Sequence, residues 1–273
     1  MLQRYTRHLG VGAAVWTALS VELAVAQTFH VKEADFEKGE WTVESINASQ
    51  HRFPANADRI HTGHEIGLGY GVSAFWQVKG LLAFNTPEGE GIRVQRGLIE
   101  NIFVLRALPS EANGIGTAWF QSIEVALDRE ETNATTFGPI LLGRAGKLEV
   151  ALNPFFAQTF GQNREEGIAF VYGWQVRQEI TKTLSLGIEG YGKMPDVAGG
   201  SPIEFQEHRI GPVLILETEL QKASQTGLGR SGMGASMAKP AGSPGAVLEL
   251  GILFGMTEAT ADLTGKANLH FTF

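Results

Sequence analysis

The stretch from Thr260 to the last residue constrains the chain most. Ala261, Leu263, Gly265, Ala267, Leu269, Phe271 and Phe273 alternate with Asp262, Thr264, Lys266, Asn268, His270 and Thr272. Alternation at period two puts one apolar and one polar face on a β-strand, and a helix would scatter the same residues round its axis. The last residue is an aromatic on the apolar face. The same rhythm recurs upstream. In 167–179, Ile168, Phe170, Tyr172, Trp174 and Val176 oppose Ala169, Val171, Gly173, Gln175 and Arg177. In 246–257, Leu248, Leu250, Ile252, Phe254 and Met256 oppose Val247, Glu249, Gly251, Leu253 and Gly255. The runs 147–160, 182–193 and 203–219 behave alike.

The beginning of the chain has a different character. Arg4, Arg7 and His8 precede an apolar run from Leu9 to Val21, and Ala24-Val25-Ala26 follows. A basic start, a short apolar run and small residues read as a secretory signal peptide over 1–26, cut before Gln27. The run is too short for a spanning helix, which needs about twenty apolar residues. Cysteine is absent, so disulfides, thiolate metal sites and a nucleophilic thiol are excluded. The formal charge of -7 argues against nucleic acid, which calls for a basic stripe.

Read along its length, the chain divides into about twelve segments of about ten residues, the length of a tilted membrane-spanning strand. They fall near 38–48, 61–71, 74–85, 92–107, 115–128, 135–145, 147–160, 167–179, 182–193, 203–219, 246–257 and 260–273. Short turns at 71–73, 144–146 and 180–182 alternate with longer polar connections at 48–60, 85–91, 128–135, 161–166 and 193–202. With export and the terminal aromatic, this predicts an all-β fold: a transmembrane antiparallel up-and-down β-barrel over 41–273. A soluble periplasmic β-protein with a ligand in its core is the alternative, because periodicity alone does not separate the two. Residues 27–40 are expected to form a periplasmic lead, although folding back into the lumen as a plug is also open. A flexible insert, rich in Gly, Ser, Ala and Met, is expected over 221–245. The strand count puts it on the periplasmic side, where connections are usually short.

Such a chain resembles Gram-negative outer-membrane barrels, whose final strand and C-terminal aromatic, here Phe271 and Phe273, are the assembly signal. The run from Gly146 to Pro154, the hairpin from Trp174 to Glu189 and the run from His208 to Val213 look like the barrel family named after the meta-pathway of phenol degradation. The resemblance implies a small barrel in the outer membrane, inserted by the barrel-assembly machinery, held in outer-membrane lipid, and passing a small, hydrophobic or aromatic solute. It supplies no catalytic residues.

In a barrel the polar parity faces the lumen. It collects Glu65, Lys79, Arg96, Glu100, Arg106, Glu124 and Asp128 on early strands and Glu149, Arg177, Glu179, Glu189, Glu207, Arg209, Glu217, Glu219, Glu249, Lys266 and His270 on later ones. Glu207, Arg209, Glu217 and Glu219 share one strand and could face Glu189 and Glu249 on its neighbours; with Arg177 and Lys266 they are the candidate lumen or constriction residues. Two readings follow: ion pairs that fill a narrow barrel, or a water-lined path whose carboxylates favour cations. No catalytic residue, metal or cofactor is expected. His61 and His64, three apart on a strand, point to opposite faces. The glycine-rich run 227–232 has a dinucleotide-type spacing but no βαβ context. The expected function is a narrow passive or weakly selective channel, with a non-conducting structural barrel as the alternative.

Overall fold

The alternation has one consequence in three dimensions: every strand has an apolar edge that water will not solvate and a polar edge that must find partners. A computed structural model, describing residues 29–53, 56–87, 91–109, 113–129, 131–219 and 244–273, resolves both by closing the sheet on itself. The strands are β1 (Trp41–Phe53), β2 (Asn56–Ser73), β3 (Trp76–Pro87), β4 (Arg93–Arg106), β5 (Gly114–Ala126) and β6 (Asn133–Ala145). They continue as β7 (Leu148–Phe160), β8 (Ala169–Thr181), β9 (Leu184–Met194), β10 (Glu207–Glu219), β11 (Gly245–Gly255) and β12 (Leu263–Thr272). Each pairs antiparallel with its neighbours in sequence, and β1 pairs with β12, so the barrel is closed. Closure leaves no edge strand unpaired.

The seam is made at the very end of the chain. Trp41 N–H donates to the Phe273 carbonyl at 2.9 Å, and Phe273 N–H donates to the Trp41 carbonyl at 3.0 Å. Trp41, Phe273 and the short turns at 73–76, 145–148 and 181–184 therefore share one end, here the terminal end. Gly146, at φ 63°, occupies the left-handed region that one of these turns requires. Because there are twelve strands, Glu219 and Gly245 also lie at this end. The insert 221–245 lies almost wholly outside the described residues, as do the signal peptide and the glycine-rich run.

The faces fall as the alternation requires. Ile66, Ile99, Ile123, Ile188 and Ile252 point outward and are each about half exposed, whereas Ile102, Ile215 and Leu253 point inward and are buried. An outward apolar surface on every strand far exceeds the few hundred Å² that water-soluble monomers expose. It is the band that a bilayer solvates in an outer-membrane barrel. Outward aromatics stack along it: Trp76 on Phe103, Trp119 on Phe137, and Phe156 against Phe170.

Two expectations are corrected. The connection expected over 48–60 is mostly strand, since β1 and β2 pair on to Phe53 and Asn56. The expected periplasmic lead is, in its described part from Phe29, a strap inside the barrel. The cause is chemical: Phe29 and Val31 bury apolar surface there, and Lys32 finds a carboxylate. The ladder is also interrupted between β6 and β7, where no pair joins Phe137↔Phe156 to Leu141↔Leu152. That register sets Pro139 opposite Pro154, and proline has no N–H to donate.

Candidate functional site

The lumen holds the polar chemistry of this chain, and the strap from Phe29 to Glu40 divides it. The strap enters at the terminal end, where a side chain at Gly71 would collide with the Glu37 carbonyl. It then runs into the barrel. At the strap's outer end Gly39 N–H donates to the Gly71 carbonyl at 2.7 Å and Gly71 N–H to the Glu40 carbonyl at 2.9 Å; further in, its backbone makes no ladder in the described residues and is held by side chains of the wall. Asn153 accepts from Lys32 N–H at 2.6 Å and donates to the Lys32 carbonyl at 3.0 Å, so one carboxamide satisfies both groups of one residue. Lys266 Nζ and Asn268 Nδ2 both donate to the Phe29 carbonyl, at 2.9 and 3.0 Å. Phe29 packs edge-on against Tyr191, and the Arg209 guanidinium lies 4.4 Å from its ring centroid.

Around the strap the charges form separate groups. Midway, Lys266 of β12 donates to Glu189 of β9 at 2.6 Å, to the Tyr191 hydroxyl at 3.0 Å and to Glu249 of β11. Gln175 adds donors to both carboxylates at 3.3 and 3.4 Å. The side chains of Lys266 and Glu189 have no solvent exposure. Such a group holds together only because each charge has its partner; an unpaired ion in this place would cost several kcal/mol. Beside it, Lys32 on the strap reaches both oxygens of Glu100 at 2.7 and 2.8 Å, and Lys79 pairs with Glu44 at 2.8 Å. Towards the terminal end, Arg177 is shared by Glu149 at 2.5 Å and by Glu33 of the strap at 2.8 Å. At the opposite end, Arg96 joins Glu124 at 3.0 Å and Glu131.

The strap's own groups titrate abnormally. Burial pushes the Glu33 carboxyl up to about 6, with Arg177 opposing and Glu149 adding to the rise. Burial disfavours the Lys32 ammonium, but Glu100, Glu44 and Glu65 together outweigh it and the pKa is raised. Burial lowers His30, with His270 and Lys32 adding to the effect.

The expected cluster on β10 is therefore split. Glu189 and Glu249 are brought together, but by Lys266 and not by Arg209. Arg209 is buried with Glu207 at 2.6 Å as its ion partner. Glu217 is exposed near the terminal end, and the side chain of Glu219 lies outside the described residues. Arg177 sits in the terminal group with Glu149. Arg106, expected inside, is exposed because the register shifts between Val104 and Arg106. The residues that sequence reasoning missed are Phe29, Lys32, Glu33 and Glu44. For Glu44 the alternation of β1 was a usable signal; for the strap there was none.

Beyond the strap, at the end away from the termini, the lumen opens into a cavity of about 160 Å³. Phe120 and Phe155, stacked at 4.7 Å, form part of its wall with Leu98 and Val171; His30 and Lys32 of the strap close its floor.

With this geometry in view, the barrel is similar to an outer membrane channel from Pseudomonas putida F1: TM-score 0.53 at 12% sequence identity, covering 89% of this chain and 99% of that one. The KdgM porin matches at TM-score 0.45 and 11% identity, over 85% of this chain and 98% of that one. What the first of these shares is the fold. No protein-family model matches the chain, and no curated protein matches it in sequence. The resemblance to the meta-pathway family therefore rests on the sequence runs quoted above.

Proposed function

We propose that the protein is an outer-membrane channel for small solutes whose lumen is closed at rest by its own strap. The observation that carries this reading is the floor of the cavity: it is His30 and Lys32, held by side chains, and not the hydrogen-bonded wall. A wall strand cannot leave without breaking its ladder. The strap is held mainly by side-chain hydrogen bonds and ion pairs, which can be exchanged for water without breaking the wall. The fold shared with a channel supports the reading. The stacked Phe120 and Phe155, with the resemblance to the meta-pathway family, support small hydrophobic or aromatic solutes. Export through the peptide over 1–26, insertion by the barrel-assembly machinery through Phe271 and Phe273, and residence in outer-membrane lipid belong to the same proposal.

The test is conductance of refolded, heat-modifiable protein in planar bilayers. Intermittent small openings are expected. Silence at every voltage from correctly folded protein would favour the structural barrel, whose lumen stays filled.

The same recordings should depend on pH through Glu33. Its carboxyl sits near 6 in the docked strap and would titrate as an ordinary carboxyl, near 4.5, once released into water. A group whose pKa is raised by docking favours the docked state when protonated. The strap is therefore held more tightly below the ordinary value, and this advantage is lost as pH rises through about 6. The window is worth on the order of 1–2 kcal/mol. Openings should be several-fold rarer at about pH 5 than at about pH 7.5, and Glu33→Gln should flatten the dependence. A wild-type open fraction independent of pH over this range would contradict the assignment.

A further inference from the structure

The charges around the cavity almost cancel, and the remainder points to a ligand. Lys32 pairs with Glu100 at 2.7 Å, Arg96 with Glu124 at 3.0 Å, and Lys193 with Glu165 at 3.8 Å. Glu65 of β2 is the acid left over. It lines the same cavity, is only 4% exposed, and its Oε2 has no hydrogen-bond partner. A buried carboxylate oxygen without a donor is costly. The nearby cations spend their hydrogen bonds elsewhere: Lys32 serves Glu100, and Lys79 serves Glu44.

We infer that Glu65 is the anchor of a binding site for a small organic ammonium ion with an aromatic or compact apolar body. The ammonium would donate to Glu65 and complete a fourth ion pair, while the body packs on Phe120, Phe155, Leu98 and Val171. The size fits one ring: an apolar cavity of about 150 Å³ takes up benzene, and this one measures about 160 Å³. A carboxylate-bearing aromatic would meet Glu65 with like charge. A neutral one could donate at most a hydroxyl hydrogen bond and would leave the carboxylate without an opposite charge. The inference deepens the channel reading by naming the class of solute, and it rests on that reading only for the statement that the ligand is carried and not merely bound.

Isothermal titration of the refolded full-length mature barrel in detergent, with benzylamine, benzyl alcohol and benzoate as probes, tests it. Benzylamine is expected to bind about tenfold or more tightly than either of the others, the scale of one charge-assisted hydrogen bond. Glu65→Gln should bring benzylamine down to the level of benzyl alcohol. Equal affinity of the wild-type protein for all three probes would overturn the inference without recourse to any variant, as would an unchanged preference in folded Glu65→Gln. Conductance is read separately. A selective site in a silent barrel would sink the channel reading alone, and a conducting barrel without charge preference would sink this inference alone.

Discussion

Replacing Lys266 with Met should destabilise the barrel by about 3–5 kcal/mol, the cost of removing one partner from a buried ionic group. Lys266 is the cation that Glu189 and Glu249 share in a place with almost no access to water. Without it the two carboxylates repel each other and can lower their energy only by taking up protons. The Phe29 carbonyl would also lose a donor, so the strap should loosen as well. Urea unfolding of the refolded protein in lipid vesicles measures the difference. Lys266→Met combined with Glu189→Gln and Glu249→Gln should regain most of the loss, because the remaining groups are neutral and can still hydrogen-bond. A loss below about 1 kcal/mol for the single substitution would mean that water reaches this layer and that the pairs are worth no more than surface ones.

The second large effect concerns the strap. A side-chain carbon added at Gly173 would lie 3.7 Å from a methyl carbon of Val31, so that side chains at the two positions touch, the first condition for bridging them with a disulfide. The chain has no cysteine of its own, so Val31→Cys with Gly173→Cys introduces a pair with no competitor. Oxidised, this variant should hold the strap on β8 and cut the open fraction by about a hundredfold, as expected when a tether removes one state of a two-state equilibrium. Reduction should restore the openings of the starting protein. Equal conductance in both redox forms would show that solutes pass somewhere other than the space the strap fills, and would overturn the gating part of the proposed function.

Most of the barrel wall could be read from the chain before folding, and the reason is local. A strand in a closed sheet meets one medium on each face, so its alternation records both. Leu148, Val150 and Leu152 against Ala151, Asn153 and Phe155 were enough to tell the outside of β7 from the inside. The short turns and the terminal phenylalanine carried the hairpin order and the seam in the same way. The first hairpin was less legible, because β1 and β2 continue past the apolar band into polar sequence that reads as a loop. Glu65 shows the limit from another side: alternation placed it in the lumen, but nothing in the neighbouring sequence distinguished it from the acids that find partners.

What the sequence by itself determined is which side chains face lipid and which face the lumen, because that is written residue by residue at period two. What only the tertiary structure decided is who meets whom across the lumen. Lys266 and Glu189 are 77 positions apart, and Lys32 and Glu100 are 68; their meeting depends on the register of every hairpin between them and on closure of the ring. The same holds for the strap from Phe29. Its inner part lies among wall side chains that come from many strands, so it has no two-faced pattern to display, and its place in the barrel becomes visible only once the wall that binds it has formed.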